Sequence, residues 1–327
     1  MTDPIRQSLL IPIEHAGQRL DQALAVLLPE YSRTRLKEWI ESGQVLINGS
    51  PLRPKDRVVG GERIELNATL EDAVTVRPQS IGLDVVYQDS QVLVVNKPAG
   101  LVVHPGAGNM AGTLQNALLH FDPSLSVLPR AGIVHRLDKD TTGLLVVART
   151  LEAHTSLVRA LEARDVGREY EAVCVGVMTG GGTVNAPIDR HPTDRLRQTV
   201  KQSGREAITH YRVLHKYRGH THIRVELDTG RTHQIRVHMA HIHYPLVGDR
   251  VYGGRAILPK GASPTLIEAL QGFKRQALHA AKLTFEHPTT GQPVECEAPL
   301  PEDMVELLRI LAADAKQALA DVRQTRR

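Results

Sequence analysis

The sequence has few of the features that mark secreted and membrane proteins. Cys174 and Cys296 are its only cysteines, and they are too few and too far apart in sequence for a disulfide scaffold. No apolar run approaches the roughly 18 residues that a membrane-spanning helix requires, and the N-terminus does not resemble a signal peptide. We therefore expect a soluble protein of the reducing cytoplasm.

Aromatic residues are also scarce, at 3% of the 327 residues, and neither sign of charge dominates. Lysine and arginine number 40 against 36 aspartates and glutamates, an excess that favours an anionic partner without requiring one. The length exceeds that of most single domains. We therefore expect two domains.

Residues 17–76 have the pattern of a small α+β module. Apolar side chains first recur at helical spacing, and a second helix, which Ser32 can cap, has an inward face of three apolar residues: Leu36, Trp39 and Ile40. The stretch QVLING then alternates as a strand does, Asn48 and Gly49 supply a tight turn, and RVVGGERIEL returns as a second strand.

Residues 77–82 lack periodicity and link this module to a larger domain, residues 83–327. Strand-forming segments with turn residues between them predict six strands there: LDVVY, QVLVVNKP, GLLVVA, EYEAVCVGV, THYRVLHK and THIRVELD, the last of which alternates clearly. Helices are predicted for THQIRVHMAHI, for SPTLIEALQGF with Ser263 as N-cap, and for PEDMVELLRILAADAKQAL. The fold class expected is α+β, with a mixed, mainly antiparallel sheet flanked by helices.

The stretch HRLDKDTTG, residues 135–143, concentrates charge between two apolar runs, GIV and GLLVV. A polar turn with solvated charges is one interpretation. However, Leu137 is the only long apolar residue of the stretch, so part of the charge is expected at the rim of a core, where burial without a partner is costly. Proteins accept such a cost mainly at functional sites.

A cationic partner for a carboxylate of that stretch can come from a second dense segment, TGRTHQIRVHMAHIHYPLVGDRVYGG, which contains Arg231, Arg236 and Arg250. A helix over residues 232–242 would place Arg236 on one face and could point it inward. Such a pairing would keep an aspartate ionised, as a nucleophile requires. A solvated helix face with scattered histidines is the alternative.

The same segment contains four histidines that could suggest a metal: His233, His238, His241 and His243. No HExxH motif occurs, no cysteine lies nearby, and no carboxylate completes a ligand set. Neither a Walker A motif nor GxGxxG is found, and TGGGTV lacks the lysine of a phosphate-binding loop. We therefore predict no metal site and no bound cofactor.

Four segments, in this order, resemble the signature segments of the RluA/RluD-type pseudouridine synthases: RAGIVHRLDKDTTGLLVVART, REYEAV, TGRTHQIRVHMAHIHYPLVGDRVYGG and QALHAAKLTFEHP. The N-terminal stretch RLDQALAVLLPEYSRTRLKEWIESGQVLINGS is similar to the S4 RNA-binding domain that often precedes that catalytic domain. The likeness covers nearly the whole chain. LVVHPGAGN and NALLH bring it nearest to the family members that modify large-subunit (23S) rRNA.

The resemblance implies that the protein isomerises uridine to pseudouridine in RNA. It implies that Asp138 is the catalytic aspartate, that Tyr170 stacks on the target base, and that Arg236 is the basic partner of Asp138. Substrate contacts are assigned to four further side chains: Arg136, Leu278, His135 and Arg231. Because the isomerisation adds and removes no atoms, it calls for no metal and no redox cofactor.

In the S4-like module, the resemblance assigns phosphate contacts to four basic side chains: Arg19, Arg33, Arg35 and Lys37. Ordinary solvated helix charges are the alternative interpretation. The expected partner is large-subunit rRNA or a pre-ribosomal particle, with no membrane involved, and the expected state is a monomer. Two other functions stay open, a non-catalytic RNA-binding protein of ribosome assembly and an aspartate-dependent nucleoside hydrolase.

Overall fold

The computed structural model describes residues 4–29, 31, 33–69, 76–106, 108–194 and 196–325. The chain divides into two compact units, residues 1–75 and 76–327, and each unit has its own buried apolar core. The N-cap predicted at Ser32 lies outside the described residues.

The described part of the first unit contains two α-helices and three strands: β1 (Pro4–Leu10), α1 (Leu20–Leu27), α2 (Arg33–Glu41), β2 (Val45–Ile47) and β3 (Arg63–Thr69). The strands form an antiparallel sheet in the order β1-β3-β2. The predicted inward face of α2 is confirmed, because Leu36, Trp39 and Ile40 are all buried in the core that both helices share with the sheet.

The first unit differs from its sequence pattern in two places. β1 lies ahead of residue 17, where the pattern predicted no element. RVVGGERIEL was expected to be extended throughout, but β3 begins only at Arg63, because Gly60 and Gly61 have φ angles of +87° and +84° that interrupt an extended strand. The tight turn at Asn48 and Gly49 is confirmed by the bridge between Ile47 and Ser50.

Among its described residues the second unit has eleven strands: β4 (Val85–Gln88), β5 (Val92–Lys97), β6 (Thr142–Ala148), β7 (Gly167–Val175), β8 (Gly182–Asn185), β9 (Ile188–Arg190), β10 (Gln198–Val200), β11 (Ile208–Lys216), β12 (His220–Leu227), β13 (Leu278–Glu286) and β14 (Pro293–Glu297). Nine of them form one sheet in the order β4-β5-β6-β13-β7-β12-β11-β8, with β14 added beside β13. Every pairing in this sheet is antiparallel except that of β6 with β13. The six predicted strands and the mainly antiparallel sheet are confirmed.

Five helices cover both faces of this sheet: α3 (Leu114–Phe121), α4 (Leu151–Ala163), α5 (Gln234–His241), α6 (Pro264–Gly272) and α7 (Glu302–Thr325). Apolar residues of α3 and α5 pack with one face, and those of α4, α6 and α7 pack with the other. Because both faces are covered, β6 is buried along its whole length. The cap predicted at Ser263 is confirmed, since its hydroxyl accepts a hydrogen bond from the backbone N–H of Leu266 at 3.2 Å.

Candidate active site

The charged stretch HRLDKDTTG forms the loop that leads into β6. Gly143, at the start of this strand, has a φ of +110°, and a Cβ there would lie 2.2 Å from the carbonyl oxygen of Ala280. Only glycine therefore lets β6 lie this close to β13. Leu137 is buried and fastens the loop to the core, whereas the neighbouring Asp138 keeps 16% of its side chain exposed. The carboxylate thus lies at the rim of the core and is not a freely solvated turn residue.

Asp138 is paired with Arg236, which comes from α5. Nη1 of Arg236 donates a hydrogen bond of 2.9 Å to Oδ2 of Asp138, and the rest of the guanidinium donates to Asp249 at 2.7 and 3.0 Å. Burial alone would lower the pKa of Arg236, but the hydrogen bonds and charges of Asp249 and Asp138 raise it above its ordinary value. Arg236 therefore stays cationic at any physiological pH.

The other two arginines considered as partners make no contact with Asp138. Arg231 donates from Nε to the carbonyl oxygen of Glu206 at 2.9 Å, and Arg250 lies outside the cavity that contains Asp138. Of the three candidates in the dense segment, Arg236 is the one that reaches the carboxylate.

The helix predicted over residues 232–242 is shorter than expected. It begins at Gln234, because His233 adopts a left-handed φ of +56° that an α-helix cannot include. From Gln234 to Met239 the helix is buried on all sides, so the alternative of a solvated helix face is wrong. The left-handed turn brings Nε2 of His233 to 3.8 Å from Oδ1 of Asp138. Burial lowers the pKa of this histidine, so that its ring is neutral near pH 7.

Tyr170 and Leu278 approach the same place from adjacent strands. In the pairing of β7 with β13, Tyr170 lies opposite Ala280 and Leu278 lies opposite Ala172, and both side chains are almost fully buried. Burial also raises the pKa of the Tyr170 hydroxyl, so the ring is uncharged. The two side chains form apolar walls beside the carboxylate.

These side chains belong to one cavity of about 1080 Å³. All seven residues predicted as catalytic or substrate-binding line it: His135, Arg136, Asp138, Tyr170, Arg231, Arg236 and Leu278. Residues up to 143 positions apart in the sequence, from His135 to Leu278, are thereby brought together. The cavity thus combines the carboxylate of Asp138, a guanidinium fixed beside it, and apolar walls.

The cavity is also rimmed by cations that sequence reasoning did not select. Four arginines besides those already named line it: Arg130, Arg164, Arg168 and Arg205. Its lining carboxylates are fewer, namely Asp138, Glu162 and Asp228. The rim therefore favours a polyanion such as a nucleic-acid backbone.

Lys97 is another residue near the site that the sequence pattern did not single out. It lies at the end of β5 with 1% of its surface exposed, and its ammonium group donates to the carbonyl oxygens of Pro98, Leu101 and Lys139 at 2.8, 3.0 and 2.9 Å. Burial lowers its pKa to about 8, against the opposing charges of Asp140 and Asp138. Lys97 therefore links the end of β5 to the backbone of Lys139, the residue that follows Asp138.

His135 holds the loop from the other side. Its Nε2 accepts a hydrogen bond from the backbone N–H of Val146 in β6, at 3.1 Å. Burial, with the charge of Arg168, lowers its pKa to about 3, so the ring is neutral. The acceptor nitrogen of His135 is therefore used by the protein itself.

The basic residues predicted to contact RNA from the first unit are partly engaged within that unit. Arg19 and Arg33 both donate to the buried carboxylate of Asp21, at 3.0 and 2.8 Å. Lys37 lies 3.6 Å from Glu41, and both of these side chains are exposed. Arg35 also has an interaction within the protein. The arginines thus have a structural role in addition to any contact with RNA.

No three histidine, cysteine, aspartate or glutamate side chains converge as a metal site would require, within the part of the chain that the structure describes. The ring of His238 is hydrogen-bonded within the protein, to the hydroxyl of Thr209 and to the carbonyl oxygen of Ala186, at 2.8 Å each.

In the described ranges no helix has the length and apolarity needed to cross a membrane.

Comparison with known proteins gives matches along nearly the whole chain. Residues 91–241 match the family described as RNA pseudouridylate synthase, and residues 18–64 match the S4 domain. The chain is 55% identical over 320 residues to ribosomal large subunit pseudouridine synthase D of Xanthomonas campestris pv. campestris, with 97% of each protein covered. It is 54% identical over 318 residues to the protein of that name from Escherichia coli K12, covering 97% of this chain and 98% of the other. Among solved structures, human RNA pseudouridylate synthase domain containing 4 matches with a TM-score of 0.55 at 25% identity, over 70% of this chain and 93% of that one.

Proposed function

The chain belongs to the RNA pseudouridylate synthase family, and we propose that it converts uridines of large-subunit (23S) ribosomal RNA into pseudouridines. The substrate is inferred from relatives that are 54% and 55% identical and are named ribosomal large subunit pseudouridine synthases. One structural observation carries the proposal. Asp138 and Arg236 form an ion pair of 2.9 Å inside a cavity that Tyr170 and Leu278 also line.

The reaction moves the sugar from one atom of the base to another. The bond between N1 of uracil and C1′ of ribose breaks, the uracil turns over, and C1′ joins C5. The proton on C5 leaves and N1 gains one, so the atoms of substrate and product balance. The site must therefore supply one group for the covalent or proton-transfer step and must retain the detached uracil.

We assign that step to Asp138. Its carboxylate either attacks the sugar or the base, or removes a proton to give a glycal intermediate, and a base then takes the C5 proton. Either role needs an ionised carboxylate with one edge open to the substrate. Nη1 of Arg236 donates to Oδ2 at 2.9 Å, whereas the ring of His233, which lies 3.8 Å from Oδ1, is neutral.

Arg236 acts in this proposal as a positioning residue, and the apolar side chains act on the base. Asp249 fixes the guanidinium through two hydrogen bonds, so that its charge is held in place before the substrate binds. Tyr170 and Leu278 confine the uracil and exclude water while it is detached. Taking the uridine out of its stack costs a few kcal/mol, and stacking on Tyr170 with contacts from Arg136 offsets this cost.

The RNA backbone is held by charge. The arginines at the cavity rim contact phosphates near the target, and the S4 domain contributes Arg19, Arg33, Arg35 and Lys37. These contacts set the register of the RNA, while the cavity admits one everted uridine.

The protein is further proposed to act as a monomer in the cytoplasm. Support for the monomer is that all seven cavity residues assigned to the reaction come from one chain. Support for the cytoplasm is that Cys174 and Cys296 are free thiols, both buried. Light scattering of the purified protein tests the first statement.

The test of function is an in vitro reaction with unmodified large-subunit rRNA, in the presence of a metal chelator, followed by chemical mapping of pseudouridine. The wild-type protein is expected to modify discrete uridines, and Asp138→Asn is expected to modify none. Asp140→Asn removes a carboxylate two positions away that does not line the cavity, and it is expected to keep activity. Free uracil would identify a hydrolase. No product from the wild type, or equal product from Asp138→Asn, would refute the proposal.

The two chemical routes can be separated with RNA that carries deuterium at C2′ of the target uridine. Abstraction of the C2′ proton predicts a primary kinetic isotope effect, whereas direct attack by Asp138 predicts a value near unity. Single-turnover rates are the measurement, because they report the chemical step without product release.

A further inference from the structure

A second cavity lies in the catalytic unit, separate from the one that contains Asp138. It has a volume of about 370 Å³, within the range of small-molecule sites, which is roughly 300–1,000 Å³. Its walls come from residues 246–257, which follow α5, from the first residue of β12, and from the end of α6. The two cavities share no lining residue.

Three cationic side chains line this second cavity: Arg250, Arg255 and Lys274. All three are exposed, and their side chains make no hydrogen bond or ion pair with any residue that the structure describes. The one carboxylate among the lining residues, Asp249, is already occupied by Arg236 and by the backbone N–H groups of Val251 and Tyr252. The cavity therefore has a net positive charge and suits an anion.

His220 adds a polar group that has no partner. It is 1% exposed and lines the cavity, and neither of its ring nitrogens is bonded to any described group. An unpaired polar group in a buried position destabilises the folded protein unless something else bonds to it. Burial lowers its pKa to about 4, so at neutral pH the ring is uncharged, and one nitrogen can donate and the other accept a hydrogen bond.

The remaining walls are largely apolar. Leu246, Val247 and Leu270 are buried there, and the ring of Phe273 is partly exposed. An anion without an apolar part would leave this surface uncovered. The combination of apolar walls, an unpaired imidazole and a cationic edge matches a planar base that carries a phosphate.

We propose that this cavity binds a phosphorylated nucleoside. The base packs against Leu270 and Phe273 with an edge towards His220, and the phosphate is held by Arg250, Arg255 and Lys274. The ligand is either a free mononucleotide or an unpaired nucleotide of the RNA, and the second source rests on the function proposed above.

The first arm of the test is calorimetric titration of the full-length protein with each of the four nucleoside 5′-monophosphates and with the matching nucleosides. A free-nucleotide site predicts saturable binding of at least one monophosphate. The nucleoside without phosphate, and the variants Lys274→Ala and Arg250→Ala, should each bind about ten-fold more weakly. Lys316→Ala, an exposed lysine of α7 that lines neither cavity, is the matched control and should bind as the wild type does.

The second arm measures the affinity of the same variants for the rRNA substrate. If the ligand is a nucleotide of the RNA, Lys274→Ala and Arg250→Ala weaken RNA binding about ten-fold relative to Lys316→Ala, whether or not the free monophosphates bind. His220→Phe, which removes the orphan nitrogens, is the third variant. Because RNA affinity is measured directly, this arm gives a result even if no pseudouridine is formed.

The two arms together decide the proposal. A positive result in either arm supports it and identifies the source of the ligand. If none of the four monophosphates binds, and if RNA affinity in Lys274→Ala and Arg250→Ala equals that of Lys316→Ala, the cavity is no nucleotide site. Pseudouridine formation by the wild type is measured independently, so failure here is distinct from failure of the proposed function.

Discussion

Asp249 accepts two hydrogen bonds from the guanidinium of Arg236, at 2.7 Å from Nε and 3.0 Å from Nη2. Its carboxylate is completely buried and is itself fixed by the backbone N–H groups of Val251 and Tyr252. The ring of Tyr252 lies 5.0 Å from the guanidinium and restricts it further. The direction in which Arg236 presents Nη1 to Asp138 is therefore set by residues that do not line the cavity containing Asp138.

Asp249→Asn is expected to slow pseudouridine formation about a hundred-fold, since a shift of about 1 Å in a positioning group can have an effect of that size. The amide supplies one acceptor where two are needed and turns an N–H group towards the arginine. Single-turnover rates with saturating enzyme measure the effect. The target uridine should still be admitted, because Asp249 does not line the cavity that contains Asp138.

Asp189→Asn is the matched control, because this half-buried carboxylate has only a loose ion pair of 3.9 Å with Lys201 and a hydrogen bond from the backbone N–H of the next residue, which an asparagine oxygen can also accept. The melting temperatures of both variants show whether a slow reaction reflects a damaged fold. A variant Asp249→Asn that is folded and reacts at the wild-type rate would show that Arg236 needs no such support.

Lys37→Glu is expected to weaken RNA binding and to lower the slope of log affinity against log salt by about 1, the value for one phosphate contact. The melting temperature of this variant should be unchanged, because the ion pair that Lys37 forms with Glu41 is exposed and 3.6 Å long. Arg33→Glu should also lower the melting temperature, since Arg33 pairs with the buried Asp21.

Lys55→Glu is the control for this pair, because it makes the same charge change at an exposed position of the same unit. Electrophoretic or filter-binding titrations at several salt concentrations give the affinities. Should Lys37→Glu behave as Lys55→Glu does, the exposed face of α2 has no specific part in RNA binding.

Much of the fold could be predicted because its signals are local. The spacing of Leu36, Trp39 and Ile40 identifies the buried face of α2. Alternation in β12 and short apolar runs between turn residues, as in β6, identify the strands that were predicted. β13 was not predicted as a strand. Its position between β6 and β7 depends on pairing across the chain, including the one parallel pairing of the sheet.

In the site, too, some residues are marked by local sequence signals and others are not. Asp138 and Arg236 could be selected from charge next to apolar runs and from the resemblance to a family. Asp249 and Lys97 could not, because their roles arise from groups distant in sequence. The residues next to Lys97 do not indicate that its ammonium group donates a hydrogen bond to the carbonyl oxygen of Lys139, 42 positions away. The left-handed turn at His233 is equally unmarked by its neighbours.

Lys97→Met is expected to lower the free energy of unfolding by at least about 2 kcal/mol, because it leaves three carbonyl oxygens without their buried donor. Methionine has a similar volume, so a cavity is not the cause. The loop after Asp138 loses its attachment to β5, and activity should fall as well. Chemical denaturation and single-turnover rates measure the two effects.

The control is Lys139→Met, which removes the exposed lysine of the same loop and keeps the carbonyl oxygen that Lys97 binds. Its stability is expected to remain within about 0.5 kcal/mol of the wild type. Equal stabilities for the two variants would mean that the buried ammonium contributes nothing to the fold.

The stability of the protein should fall as the pH falls from about 6.5 towards 3, in part because of His135. Its folded pKa of about 3 lies below the ordinary value of about 6.5. Between these values the unfolded chain takes up a proton that the folded protein does not, so lower pH favours unfolding. The contribution is at most about 1.4 kcal/mol per pH unit. Protonation would also remove the acceptor that Nε2 offers to Val146.

His135→Gln separates this contribution from that of the other titrating groups. The glutamine oxygen can accept the hydrogen bond from Val146 but does not titrate, so the free energy of unfolding should fall less steeply with pH, by about 1 kcal/mol per unit between pH 6 and 4.5. His120→Gln, at an exposed position, should keep the slope of the wild type. Urea unfolding at each pH gives the slopes. Parallel curves for the wild type and His135→Gln would mean that His135 takes up its proton as readily in the folded protein as in the unfolded chain.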